Sequence, residues 1–229
     1  MSLWEQGFDT DRDSILELCV RDREELTHSF FLERPGFAKK HASVWLEDFL
    51  DYHEVMVQDM PLALGQLGLC NMRLGWIFLS DSMRNYAESH RELKALRVST
   101  LAHELGHLRM HRDEDTPNML VSYFGDKRIC HPRAFQREME ADLYAGAFLI
   151  PEEALRQSKA GAHIWEHRDI QLPMRNAFLW KALYEAAAEF GVTPTLMKKR
   201  LIDLGWIEQT ERRKGNKSAV LRLRFGGVF

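Results

Sequence analysis

At 229 residues and 26.8 kDa the chain can form one large domain or two small ones, with length enough to bury a core. Hydrophobic residues at 45%, aromatics at 10% and charged residues at 28% exclude the disordered, collagen-like and disulfide-dense classes. The net charge of −3 gives no global reason to expect nucleic acid, yet residues 197–229 carry nine Lys/Arg against three acids, a +6 tail after a −9 remainder.

In chain order, residues 11–31 read as a helix with Ile15, Leu18 and Cys19 on its apolar stripe and Thr10 or Asp11 as its cap. Residues 42–52 read as a second. Between residues 53 and 80 the period shortens, and segments 55–57, 68–72 and 76–79, joined by Gly and Asn, predict a small three-stranded antiparallel sheet. The longest periodic stretch, 92–111, predicts a helix. Residues 112–136 read as a long loop, 137–149 as a helix closed by Pro151, and 161–173 as a connector. Two last helices, 176–190 and 194–204, follow, with Thr193 placed to cap the second and Pro194 suited to its first position. The expected fold is α+β: a mostly helical core with the small sheet in residues 1–160, then a helix-turn-helix-like region with a basic tail in 161–229.

Cys19, Cys70 and Cys130 form no CxxC pair, so reduced thiols are expected. No apolar run approaches the roughly 20 residues of a membrane helix, and residues 1–13 hold acids where a signal peptide needs an apolar core. A cytoplasmic protein without membrane contact is the expectation.

The chemistry concentrates in His103-Glu104-Leu105-Gly106-His107, an H-E-x-x-H sequence inside a helix whose Leu101, Leu105 and Leu108 face the other way. One turn apart, the two imidazoles can donate to a single Zn²⁺, and Glu104 beside them can reach the attacking water as general base. A third ligand is needed. Glu138 and Asp142 lie four apart on the next helix, which suits Glu138 as ligand and Asp142 as the outer carboxylate that orients one histidine. Glu140, about 200° around the helix from Glu138 at 100° per residue, is the rival. Mn²⁺ and Fe²⁺ are alternatives to Zn²⁺ for such nitrogen and oxygen donors.

A second pattern, His163-Ile164-Trp165-Glu166-His167, spells the inverted H-x-x-E-H motif, but it follows Gly161, soon meets Pro173 and has no paired carboxylates after it. His111, His131 and Tyr123 are candidates for stabilising an oxyanion, or merely exposed. The strand around 76–79, if it borders the cleft, suits an extended peptide added to the sheet. In the last two helices, Leu183, Phe190, Leu196, Leu201 and Trp206 predict a hairpin packed on the core. Lys198, Lys199 and Arg200 facing DNA phosphates are the less favoured alternative.

On these residues the chain resembles the ImmA/IrrE family of metallopeptidases. The first block of the likeness is Thr100 to His107, T-L-A-H-E-L-G-H. The second is Glu138 to Pro151, with Tyr144 where the family prefers Phe, and the third runs through Ala187 to Thr193 and Arg200 to Gly205. The resemblance implies a zincin-like core of the gluzincin type with His103, His107 and Glu138 on the metal and Glu104 as base. It also implies a protein substrate, in the better-known members a helix-turn-helix transcriptional repressor cut at one site. The alternative is a DNA- or protein-binding regulatory module with a metal-binding core that does not cut.

Overall fold

The longest periodic stretch becomes the axis around which the other elements are arranged. A computed structural model describes residues 12–111, 119–123, 132–166, 175–210 and 220–222. Helix α3 (His90–Met110) starts at Ser89, whose hydroxyl accepts the Glu92 amide at 3.2 Å, while the Glu92 carboxylate accepts the Glu88 amide at 2.8 Å. Its Leu101, Leu105 and Leu108 are buried, as the pattern requires. Helix α4 (Pro132–Leu149) packs against it on one side and the sheet on another. Helix α1 (Arg12–Glu33) and helix α8 (Pro194–Asp203) pack on α4, and α2 (Ala42–Tyr52) on α3. Aromatic side chains fill the junction of α1, α2 and α4: Trp45 lies 5.8 Å from Phe30 and 6.0 Å from Phe148, ring centre to ring centre.

The sheet departs from expectation in two ways. It has four strands, β1 (Val57–Met60), β2 (Gln66–Asn71), β3 (Trp76–Ser80) and β4 (Met119–Tyr123), in the order β1-β3-β2-β4. β2 pairs antiparallel with β3 and β4, but β1 runs parallel to β3, with Val57 opposite Ile77 and Met60 opposite Ser80. The β2–β3 hairpin turns tightly because Asn71 Oδ1 accepts the amides of Arg73 and Leu74, both at 3.1 Å. Residues 61–65 therefore carry the chain past β3 to its far side, which leaves β1 parallel. β4 arises from the mostly apolar segment 119–123 inside the expected loop, and residues 132–136, also read as loop, form the first turns of α4; residues 112–118 and 124–131 lie outside the described residues. With β1 and β2 on its two sides, β3 has no open edge, so the expected peptide addition there does not hold.

The later segments are more helical than expected. Residues 161–166, read as connector, belong to α6 (Lys159–Glu166), which follows α5 (Glu152–Gln157). Helix α7 (Arg175–Phe190) then leads to α8, where Thr193 Oγ1 accepts the Leu196 amide at 3.2 Å and Pro194 takes the first position. Leu183, Phe190, Leu196, Leu201 and Trp206 are all buried. A short hairpin of β5 (Glu208–Thr210) and β6 (Val220–Arg222), not foreseen, lies in the basic tail. Cys19 and Cys70 are buried and reduced, while Thr10, Asp11 and Cys130 lie outside the described residues. Among the described residues no helix is long and apolar enough to cross a membrane.

Candidate metal centre

Two residues four apart on α3 and one on α4 meet at a single point. His103 and His107 bring their Nε2 atoms to 3.1 Å. Glu138 reaches His107 Nε2 at 3.2 Å and His103 Nε2 at 3.4 Å. Four ligands at 2.0–2.1 Å around Zn²⁺ in a tetrahedron are about 3.3–3.4 Å apart, so this spacing suits one ion. The three side chains are the group of His, Cys, Asp or Glu among the described residues that could hold a metal. Glu140 is turned elsewhere, as its angular position on the helix requires.

The histidines are buried in the form a ligand needs. Burial above all pushes His107 down to about 4, against the opposing pull of Glu138, so its ring is neutral at pH 7. His103 Nδ1 lies 3.0 Å from Asp142 Oδ1, an acceptor that keeps the proton on Nδ1 and so puts the ring's lone pair on Nε2. Lys199 on α8 donates to the other Asp142 oxygen. Asp142 thus stands where its spacing from Glu138 predicts.

Glu104 is fully buried on the sheet side of α3. A Cβ on Gly68 of β2 would stand 2.5 Å from Glu104 Oε1 and 2.7 Å from Thr100 Cγ2, so only glycine lets the strand pass this close to the carboxylate. The β2–β4 register shifts between Gln66 and Gly68 at the same place. Across the helix, a Cβ on Gly106 would come within 3.1 Å of the Ala141 backbone, so the glycine of the motif sets how closely α3 and α4 approach.

Other partners had little or no local signal. His111, four residues beyond His107, is buried with Nδ1 at 2.9 Å from His107 Nδ1 and Nε2 at 2.7 Å from Glu140 Oε2. Asp22 on α1 accepts from Arg109 Nε at 2.8 Å and Nη2 at 2.7 Å, and from the Tyr144 hydroxyl at 3.0 Å. This gives the tyrosine a partner that the phenylalanine of the family pattern could not use, and it ties α1 to both motif helices. His163 packs edge-on against Phe178 at 5.0 Å, while His131, His167 and the Tyr123 side chain lie outside the described residues.

An H-E-x-x-H helix whose imidazoles converge with a carboxylate from the following helix is the arrangement of a metallopeptidase. Residues 88–201 match the family Peptidase_M78, described as the IrrE N-terminal-like domain, a span that contains α3, β4, α4 and α7. Through this domain the chain belongs to the ImmA/IrrE family of metallopeptidases. No curated protein matches it.

Proposed function

We propose that the protein is a zinc-dependent endopeptidase of the gluzincin type, with His103, His107 and Glu138 as ligands, Asp142 orienting His103 and Glu104 as general base. The observation that supports this reading is the convergence of three buried side chains from two separate motifs: the two Nε2 atoms lie 3.1 Å apart, with one Glu138 oxygen 3.2 Å from His107 Nε2 and the other 3.4 Å from His103 Nε2. Two imidazoles and one carboxylate suit Zn²⁺, and Mn²⁺ or Fe²⁺ would take the same donors. Such an ion supplies Lewis acidity, polarising a peptide carbonyl and lowering the pKa of water to about 7. Glu104 takes a proton from the attacking water and delivers it to the departing amine nitrogen. Its burial against Gly68 holds the carboxylate on one side of α3 and shields it from bulk solvent.

For the substrate we infer a separate protein in the cytoplasm, a helix-turn-helix repressor whose cleavage alters transcription; the resemblance to the family supports this. Contact with DNA through α8 is the weaker reading. Of its three consecutive cations, Lys199 bonds to Asp142 and Arg200 is buried with Nε on the Ile150 carbonyl at 3.0 Å. Two of the three thus turn inward.

Glu104→Gln tests the reading directly: bound metal should stay at wild-type stoichiometry while cleavage of a candidate repressor falls by about 10²–10⁴-fold. Full hydrolysis by this variant would exclude Glu104 as the base. Wild-type protein that binds metal but leaves every candidate repressor intact would favour the regulatory module that does not cut.

A further inference from the structure

We propose that Glu140 and His111 form a positioning relay that fixes the tautomer and orientation of His107, and so sets how tightly a divalent ion binds. This rests on the reading of His103, His107 and Glu138 as ligands. A neutral imidazole that gives its Nε2 lone pair to a cation carries its proton on Nδ1. The His107 and His111 Nδ1 atoms are 2.9 Å apart, a distance at which one must donate and the other accept. If His107 donates, His111 has a bare Nδ1 and its own proton sits on Nε2. That nitrogen lies 2.7 Å from Glu140 Oε2, and an ionised carboxylate only accepts.

Each proton in the chain therefore has one place. The opposite tautomer of His111 would set a lone pair against the carboxylate. Gln136 donates to the second oxygen of Glu140 at 2.9 Å, which steadies the carboxyl, and the amide of His111 donates to the His107 carbonyl at 3.0 Å, which places the ring. His107, His111 and Glu140 are all buried, so water is a poor substitute for any of them. The relay gives a task to two residues that the metal site and the base leave unused: Glu140, the rival ligand, and His111, the oxyanion candidate.

Zn²⁺ affinity of the full chain, measured by competition with a chromogenic chelator, tests the relay. His103→Ala is the control for the underlying reading: it should lose tight binding, and wild-type affinity there would remove the ligand assignment and the relay with it. His111→Leu should weaken Zn²⁺ binding about 10–100-fold. His111→Asn, whose amide oxygen takes the place of Nδ1 and accepts the same proton, should recover most of that loss, which a purely structural role for the ring would not predict. Glu140→Gln, still an acceptor, should cost less than about tenfold. In the ¹H–¹⁵N imidazole spectrum of the Zn²⁺-loaded wild type, His111 should be the Nε2–H tautomer. The relay is overturned if His111→Leu binds Zn²⁺ as the wild type does while His103→Ala fails. Should His111→Leu not fold, an Nδ1–H tautomer for His111 in the wild type overturns it equally.

Discussion

The two histidines at the candidate centre are supported in different ways. His107 leans on His111, which caps the C-terminal end of α3, and on Glu140 of α4. His103 leans on Asp142, whose second oxygen is held by Lys199 from α8. One arm is closed within the motif helices, and the other reaches into the last helical pair. The difference teaches that α8, the helix that looked most like a nucleic-acid reader, is built into the support of His103 at the candidate centre.

The largest effect that could break this contrast comes from Asp142. Asp142→Ala removes the partner of His103 Nδ1 and should lower Zn²⁺ affinity about 10–100-fold in chelator competition, matching the loss predicted for His111→Leu. Affinity unchanged from wild type would show that only the His107 arm matters. Lys199→Met sharpens the contrast with a smaller effect. Its ion pair is partly exposed, so the loss should be at most about fivefold and should shrink as salt is raised, whereas the His107 arm should be salt-insensitive.

The smallest effect concerns how α8 is seated. Burial is the main cause that pushes the Asp203 carboxyl up from 3.8 to about 6, with Arg200 and Arg12 opposing it. The native state thus binds that proton more tightly than the unfolded chain, and the contribution of this one group to stability is full below about pH 3.8 and is lost as pH rises through about 6. Asp203→Asn should accordingly raise Tm by about 2–4 °C at pH 7 and leave it near the wild-type value at pH 4. An equal change at both pH values would mean that the carboxyl titrates no differently in the fold.

What could be read in advance was whatever the backbone period places together. His103 and His107 share a face because they are four apart, and so do Glu138 and Asp142; Thr193 and Pro194 mark a helix start by their own chemistry. Contacts between distant segments had no such cue. The approach of Gly68 to Glu104, the bond from Lys199 to Asp142 and the burial of Asp22 depend on tertiary packing that no window of sequence contains. The parallel direction of β1 was hidden for the same reason, since alternation reveals a strand but not which neighbour it joins. β4 is hard to see in sequence because its four apolar or β-forming residues, Met119, Leu120, Val121 and Tyr123, sit among Asp, Pro, Asn and Gly, whose turn preference dominates the whole segment. His111 had a signal, its place one turn beyond His107, but no partner could be named for it until Glu140 was seen to face it.

The glycine at position 106 has one more consequence. Because its bare α-carbon is what lets the Ala141 backbone draw near, the gauge of the donor cage is determined by main chain rather than by adjustable side chains. A single methyl group there would act as a shim between the two helices. The carboxylate donor rides on one helix and both ring donors on the other, so the cage would open along that seam while each helix remained intact.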